Sequence, residues 1–277
     1  VISLTYLILK INKGYKMSTA SDKILKSFNL NGEIALVTGA SRGLGRRFSY
    51  VLSAMGAKVV LAARNKDKLI ETEKYIKESG GECISVNMDV NDEKSVNKVF
   101  DTVRDIYGEI SILINNAGIA VSKSSLNTTM DDWDNVMNTN LRGVFMCSKI
   151  FAKYLVSNNK SGKIVNISSI AAEKVLGQRL SSYCASKAAV SHLTRTLANE
   201  YAKHNIQVNA IAPGYILTDL NKSFFETDEG KKMIELIPQK RIGFAEELDG
   251  ALLLLCSGAG SFMTGSIIKV DGGHVIG

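Results

Sequence analysis

The sequence predicts an α/β protein made of one doubly wound domain, with a seven-stranded parallel sheet flanked by helices on both faces. From Gly32 onward, short apolar runs alternate with longer stretches of helical periodicity. Strands that are apolar throughout indicate burial on both faces, which a parallel sheet has when helices cover it. The chain has 277 residues, a length that suits one domain of this size.

Each predicted strand is an apolar run bounded by turn or polar residues. The seven runs are Ile34–Thr38, Lys58–Ala63, Cys83–Met88, Ile110–Asn115, Lys163–Ser168, Ile206–Ile211 and Ser266–Val270. Helical patterns lie near 43–56, 66–79, 92–107, 131–157, 181–204 and 245–256. No repeat and no linker rich in Pro, Gly or Ser divides the chain, so residues 28–277 are predicted to be one Rossmann-type domain.

The alternation of strands and helices breaks at 213–243. Pro213, Gly214, Pro238 and Gly243 surround a polar helical piece in this region. Long connections in a compact domain are more often functional than accidental. We therefore expect a substrate lid at about 213–243.

Residues 1–27 are predicted to form a poorly ordered N-terminal extension. An apolar run, Val1–Leu9, precedes lysines at positions 10, 13 and 16. A secretory signal carries its charge before the apolar run, and a spanning helix needs about 20 apolar residues, so this segment matches neither. We expect translation to begin at Met17, with residues 1–16 upstream of the true start. The alternative is a weak membrane-surface anchor, without stable membrane insertion.

Charge and cysteine usage exclude several classes of protein. The formal net charge is +7, but the 34 Lys and Arg are scattered among 27 acids. This distribution is typical of a basic surface and does not indicate a nucleic-acid partner. The four cysteines contain no CxxC pair and have no metal-ligand spacing with the three histidines. We expect no disulfide framework, no metal site and a reducing, cytoplasmic location.

A glycine-rich turn, TGASRGLG at residues 38–45, connects the first strand to the first helix. Glycines let the backbone approach a pyrophosphate, and a helix N-terminus offers free N–H groups and a positive dipole end. In this position the pattern favours cofactor binding over a tight turn without a ligand. The predicted contacts are Gly39, Ser41, Arg42, Gly43, Leu44 and Gly45.

Tyr183 and Lys187 lie four residues apart on one face of a predicted helix. A tyrosine hydroxyl, with an ordinary pKa near 10, is a poor base at neutral pH. An adjacent ammonium group lowers that pKa, which suits proton transfer to a ketone oxygen. Alone, such a pair is usually a packed tyrosine beside a solvated lysine, but here it follows a strand that ends in two serines.

Together these motifs resemble the short-chain dehydrogenase/reductase family. TGxxxGxG in this position is joined by NNAG at residues 115–118, by Pro213-Gly214 and by VDGG at residues 270–273. The resemblance covers the chain from about Phe28 onward. It implies an NAD(P)-dependent oxidoreductase that interconverts a ketone and a secondary alcohol by hydride transfer.

The resemblance also implies roles for individual residues. Tyr183 exchanges the proton, Ser169 hydrogen-bonds the substrate oxygen while Ser168 faces away, and Lys187 also holds the nicotinamide ribose. Asn140 completes the tetrad by holding a water that links the lysine to solvent. Further implied cofactor contacts are Asp89 and Val90 at the adenine, Asn116, Ala117, Gly118, Pro213 and Gly214, with Ile216 and Thr218 at the carboxamide. The loop Ile170–Leu180 is one residue longer than in many members.

Cofactor choice depends on the end of the second strand. A carboxylate there binds the ribose 2′-hydroxyl, whereas an arginine accepts a 2′-phosphate. Ala63 ends the strand and Arg64 follows it, with Arg42 in the glycine turn. This arrangement favours NADP(H). NAD(H) remains possible if both arginines are solvated surface residues.

The substrate is left open by the sequence. A 3-oxoacyl thioester on acyl-carrier protein or coenzyme A is one alternative, for which Lys160, Lys203 and His204 would meet an acidic carrier. A sugar or polyol of the gluconate type is another. A non-catalytic NADP(H)-binding sensor or scaffold is a third, although the intact Tyr–Lys pair opposes it.

A homotetramer or homodimer is expected from the two long predicted helices, which carry apolar residues on more than one face. These residues are Leu141, Val144, Phe145, Phe151, Leu155, Ala188, Val190, Leu193 and Leu197.

Overall fold

Seven parallel strands form one sheet in the order β3-β2-β1-β4-β5-β6-β7. The computed structural model describes residues 19–176, 179–218 and 221–277. The strands are β1 Ile34–Thr38, β2 Lys58–Ala63, β3 Cys83–Asn87, β4 Ile112–Asn115, β5 Gly162–Ile167, β6 Ile206–Pro213 and β7 Ile267–Val270. The predicted fold class is confirmed. Strand β6 runs two residues further than predicted because Pro213 still pairs with Val270 of β7.

Helices cover both faces of the sheet. They are α1 Thr19–Ser27, α2 Gly43–Ala54, α3 Lys66–Glu78, α4 Glu93–Ile106, α5 Met130–Met137, α6 Gly143–Ser157, α7 Ser181–Tyr201, α8 Lys222–Phe225, α9 Asp228–Glu235 and α10 Asp249–Cys256. Side chains of Asn65, Asp92 and Thr129 accept backbone N–H groups at the starts of α3, α4 and α5. These N-caps fix where the helices begin, because the first N–H groups of a helix lack partners within it.

Helix prediction was wrong at one point that bears on the site. The pattern at 131–157 indicates a single helix, but a π-helical segment at Asn138–Arg142 separates α5 from α6. The hydrophobic period continues across such a segment, so periodicity alone does not detect it. Inserted π turns are frequent at functional sites.

The core consists of two apolar layers, one on each face of the sheet. Alternate residues of β1 enter different layers: Ala35 and Val37 face one, and Leu36 faces the other. All five β1 residues are buried, as expected of a central strand. The chain leaves β1 toward β2 on one side, while β4 pairs on the other. A crevice opens at this switch point, beyond the carboxyl ends of β1 and β4.

The N-terminal extension differs in part from its prediction. Residues 1–18 lie outside the described residues, and so does the expected start at Met17. The next residues are not disordered, because Thr19–Ser27 form helix α1. Phe28 and Asn29 donate backbone hydrogen bonds to Leu25 and Lys26 at the end of this helix.

The predicted lid region contains α8 and α9. A bridge between Ile216 and Gly243 joins the two ends of this region. Among the described residues, no helix has the length and apolar character needed to span a membrane.

Candidate active site

A cleft of about 830 Å³ lies beyond the carboxyl ends of the strands, at the switch point between β1 and β4. The turn after β1, the ends of β2 and β3, the segments after β4, β5 and β6, and helix α7 all line it. Every residue predicted to bind the cofactor lies on its wall, as do Ser169, Tyr183 and Lys187. Asn140 is fully buried behind the wall.

At each of the three glycines of the turn, a side chain would be strained or would collide with a neighbour. Gly39 and Gly43 have φ angles of +68° and +54°, which favour glycine. A Cβ on Gly45 would collide with the Gly39 carbonyl and lie 2.5 Å from Asn116 Nδ2. The turn therefore presents bare backbone and the start of α2 to the cleft, an arrangement that fits a pyrophosphate group.

Thr38 ties the glycine turn to the segment after β4. Its hydroxyl oxygen accepts hydrogen bonds from the backbone N–H groups of Asn116 and Ala117, both at 2.9 Å. The Asn116 side chain donates in return to the Thr38 carbonyl at 2.9 Å. Thr38 is not among the predicted site residues, although it is the first residue of the glycine motif.

Basic side chains gather at the end of β2. Arg42 and Arg64 are both exposed and both line the cleft. Asn65 and Lys68 line it too and were missed. Asn65 caps α3 by accepting the Lys68 N–H at 3.0 Å, which places Lys68 in the first turn of that helix. The available clue was the position of Lys68 in the first helical turn after β2, where a helix N-terminus faces the cleft.

The loop after β3 contributes Asp89 and Val90 to the cleft wall. Asp89 accepts the Asn91 N–H at 2.9 Å through its carboxylate, and the Asn91 side chain donates to Thr139 at 3.2 Å. Thr139 belongs to the π-helical segment, so the β3 loop is attached to the element that carries Asn140.

Asn140 uses its amide to hold the segment after β4. Its Oδ1 accepts the Ile119 N–H at 2.8 Å, and its Nδ2 donates to the Ile119 carbonyl at 2.9 Å and to Ser186 at 3.1 Å. A Cβ added to Gly118 would lie 3.3 Å from Asn140 Oδ1 and 3.7 Å from Lys187 Nζ. Asn140 and Lys187 therefore approach the same glycine.

Lys187 is a buried amine, with 5% of its surface exposed. Its Nζ donates to the Ile167 carbonyl at the end of β5, at 2.7 Å. Burial lowers its pKa from 10.5 to about 8, because desolvation disfavours the charged form. The ammonium therefore releases a proton more readily than a surface lysine does.

The two serines after β5 point in different directions. Ser168 donates to the Lys187 carbonyl at 3.2 Å and lies 2.7 Å from the Ser191 hydroxyl, inside α7. Ser169 accepts the Ala171 N–H at 3.1 Å and forms a hydrogen bond with Tyr183. The position of Ser168 is the one predicted for the serine that faces away.

Tyr183 departs from expectation in its pKa. Burial of the hydroxyl raises the pKa, and the hydrogen bond with Ser169 lowers it by less. The predicted lowering by Lys187 is wrong for this structure. The Lys187 Nζ lies 5.7 Å from the centre of the tyrosine ring and donates to Ile167 instead.

Two further residues on the wall were missed at the start of the lid region, Tyr215 and Asn221. Asn221 accepts the Thr218 N–H and donates to the Ile216 carbonyl, both at 2.8 Å. It thereby fixes the segment predicted to meet the carboxamide. Of the loop Ile170–Leu180, residues 177–178 lie outside the described residues.

Comparison with known proteins agrees with this arrangement of motifs. A family model described as enoyl-(acyl carrier protein) reductase matches residues 39–274. The chain belongs to the short-chain dehydrogenase/reductase family. It is thus an oxidoreductase of the class that acts on alcohols and ketones.

Relatives within the short-chain dehydrogenase/reductase family have different substrates. The chain is 37% identical over 251 residues to the 2-dehydro-3-deoxy-D-gluconate 5-dehydrogenase of Dickeya dadantii, covering 90% of this chain and 98% of that one. It is 37% identical over 250 residues to a 3-oxoacyl-[acyl-carrier-protein] reductase of Synechocystis, covering 89% and 98%. The structure of a gluconate 5-dehydrogenase from Burkholderia cenocepacia, in complex with NADP and tartrate, aligns with a TM-score of 0.86 at 32% identity, covering 92% of this chain and 99% of that one.

The buried Lys187 predicts an unusual dependence of stability on pH. Its pKa in the folded protein is about 8, against 10.5 ordinarily. Because the unfolded chain binds this proton more tightly than the folded protein does, burial of the amine destabilises the wild-type fold most below pH 8. This destabilisation decreases as the pH rises from 8 to 10.5, where the amine loses its proton in the unfolded chain as well. The quantity to compare is the unfolding free energy of Lys187→Met minus that of wild type. We expect this difference to be about 3 kcal/mol larger at pH 7 than at pH 10.5.

Urea unfolding at a series of pH values measures this difference. The exposed Lys160→Met variant serves as the control for loss of a surface lysine. A Lys187→Met difference that is constant from pH 7 to 10.5 would contradict the assignment of a buried, easily deprotonated amine.

Proposed function

We propose that this protein is an NADP(H)-dependent oxidoreductase that interconverts a ketone and a secondary alcohol, with Tyr183 as its acid/base. The observation that carries the proposal is the convergence of Tyr183, Ser169 and the buried Lys187 on the cleft that also holds the glycine turn. Oxidation of NADPH and NADH in the presence of a small panel of ketones, including an acetoacetyl thioester, tests it.

The cleft fits a dinucleotide in its shape and its donors. The bare glycine turn would hold the pyrophosphate, Asp89 and Val90 the adenine, and Ile216 and Thr218 the carboxamide. When bound, the cofactor supplies or accepts the hydride. The Burkholderia relative binds NADP, and here Arg42, Arg64 and Lys68 offer three cations to a 2′-phosphate. NAD(H) is the alternative cofactor.

Tyr183 and its neighbours divide the proton chemistry between them. A hydroxyl whose pKa is raised stays protonated at neutral pH, so it is ready to donate to a carbonyl oxygen during reduction. Ser169 is placed to stabilise negative charge on that oxygen. Lys187, with a pKa of about 8, exchanges protons near neutral pH and is suited to reload the tyrosine. The water expected at Asn140 stays a prediction.

The substrate has two candidate classes. A 3-oxoacyl thioester is favoured by exposed apolar side chains in the lid region, Phe224 and Leu236, and by the relative from Synechocystis. A gluconate-type sugar or polyol is favoured by the Dickeya relative and by the tartrate bound to the Burkholderia enzyme. A sensor or scaffold without turnover is less well supported, because the Tyr–Lys pair and Ser169 are intact.

We further propose a cytoplasmic location, which the unpaired thiols support: Cys83, Cys147, Cys184 and Cys256 are all free. The lid role of residues 213–243 and the domain boundary at Phe28 stay predictions.

We also propose a homodimer or homotetramer, with α6 and α7 at one interface. Most of the apolar residues expected there belong to the core, among them Val144, Phe151 and Leu197, whereas Phe145 is 44% exposed. We expect light scattering at micromolar concentration to give a dimer or tetramer, and Phe145→Glu to shift it toward smaller species. A monomeric wild type would contradict this proposal.

Tyr183→Phe tests the acid/base assignment. The change removes only the hydroxyl, so the ring still packs and the cleft keeps its shape. We expect the kcat for ketone reduction to fall by roughly 10²–10⁴-fold, the usual contribution of general acid–base catalysis, with NADPH affinity unchanged by fluorescence titration. Tyr107→Phe, distant from the cleft, is the control. Near-normal turnover in Tyr183→Phe would refute the assignment.

Ala63→Asp combined with Arg64→Ala tests cofactor choice. The aspartate would bind the ribose hydroxyls of NADH and repel the 2′-phosphate of NADPH, while the lost arginine removes a charge-assisted pair. Losing that pair costs about 1.5–3 kcal/mol, or roughly ten- to hundredfold in NADPH affinity. We expect kcat/KM to shift toward NADH, with Arg195→Ala as the control. A wild type that already prefers NADH would show that Arg64 is a solvated surface residue.

A further inference from the structure

Tyr215 lies on the wall of the cleft and is not used by the proton chemistry proposed above. It follows Pro213-Gly214 at the start of the lid region and lines the same cleft as Ser169 and Tyr183. Its side chain is half-buried, and across residues 19–176, 179–218 and 221–277 the hydroxyl has no hydrogen-bond partner. Burial, with a smaller effect of nearby Cys184, raises the pKa of Tyr215, so the hydroxyl remains a donor at neutral pH.

Aromatic rings hold Tyr215 from two sides. Its ring lies 5.4 Å from the His274 ring and 5.5 Å from the Phe225 ring, with the Phe225 ring edge-on. Its carbonyl accepts the Gly243 N–H at 2.9 Å. The ring is thus packed between the lid region and segment 271–277, while the backbone of Tyr215 is bonded to the end of the lid region.

Hydrogen bonds hold His274 in position. They involve Lys174 and residues 271–277, which together we call the brace. Lys174 Nζ donates to the His274 carbonyl at 2.6 Å and to the Gly277 carbonyl at 2.5 Å. The Asp271 carboxylate accepts the Gly273 and Val275 N–H groups, both at 2.9 Å. Since Lys174 lies five residues after Ser169, the brace joins the reacting centre to the wall that carries Tyr215.

The His274 side chain contacts Tyr215 through its ring. It is 3% exposed, and its Nδ1 has no partner among the described residues. The Nδ1 atom of His274 is buried, whereas the His274 ring packs against the ring of Tyr215. His274 therefore acts on Tyr215 by packing.

We propose that Tyr215 is a specificity-determining residue whose hydroxyl binds a hydroxyl or carboxylate of the substrate, and that the substrate is accordingly a polyhydroxylated ketone or its alcohol. This inference rests on the proposed oxidoreductase function and selects between its two substrate classes. An apolar acyl chain in this position would leave a half-buried hydroxyl unpaired, and sites built to hydrogen-bond a substrate reject analogues that lack the matching group.

Tyr215→Phe tests the proposal because it removes the hydroxyl and keeps the ring. We expect kcat/KM for 5-ketogluconate to fall about tenfold or more, while the value for acetoacetyl-CoA changes less than about threefold. NADPH affinity should not change. Tyr107→Phe, which removes a half-buried hydroxyl far from the cleft, is the matched control.

Two substitutions of His274 test the brace. His274→Phe keeps a ring against Tyr215 and should retain the preference for the hydroxylated ketone. His274→Ala removes the ring and should lower kcat/KM for 5-ketogluconate in the same direction as Tyr215→Phe, through KM rather than kcat. An unchanged KM in His274→Ala would show that His274 does not position Tyr215.

Other outcomes overturn the proposal or the function beneath it. A wild type that reduces acetoacetyl-CoA but no hydroxylated ketone, or a Tyr215→Phe variant that affects both ketones equally or neither, overturns the role of Tyr215. If wild type reduces neither ketone, the proposed function fails instead. In that case calorimetry still tests the role of Tyr215. It compares the binding of gluconate to NADP⁺-loaded wild type with its binding to NADP⁺-loaded Tyr215→Phe, and weaker binding in the variant supports a contact with the hydroxyl.

Discussion

The hydrogen bond from the buried Lys187 amine to the Ile167 carbonyl is the interaction on which the site depends. It fastens helix α7 to the end of β5, which brings Tyr183 on the helix beside Ser169 after the strand. A buried amine without a hydrogen-bond partner destabilises the folded protein. The groups around Lys187 must therefore keep its amine within hydrogen-bonding distance of the Ile167 carbonyl. Gly118 lies next to the amine, and Asn140 fixes the loop that contains this glycine. The reacting centre is therefore one connected structure, in which each member limits where the others lie.

Elements formed by local sequence were predicted well, and those formed by distant contacts were not. Strands β1 and β2 have the predicted ends, because apolar runs between turn residues are a local property. The glycine turn was recognised for the same reason. The π-helical segment at Asn138–Arg142 was not, since it leaves the hydrophobic pattern unchanged. The pKa of Tyr183 was predicted in the wrong direction because spacing along a helix shows a neighbouring charge but not the burial of the hydroxyl.

The two ends of the cleft differ in the same respect. The end proposed to bind the cofactor is built from short motifs after β1, β2 and β4, each visible along the chain. Lys68 was missed there only because a lysine on a helix is ordinarily a solvated residue. The end proposed to bind the substrate depends on a contact between Lys174 and His274, which are 100 positions apart. No pattern in the sequence connects these two residues, so Tyr215 had no visible partner until the fold was known.

The strand order has a consequence for how the chain folds as it is synthesised. Strand β1 comes first in the chain yet lies inside the sheet, third in the strand order, with β2 on one side and β4 on the other. Strands β1 to β3 can associate early, but one edge of β1 then stays open until β4 arrives, more than 70 residues later. An open apolar edge invites pairing with other chains, and long-range parallel pairing is slow. The nascent first half, rather than the finished protein, is thus the species most exposed to aggregation.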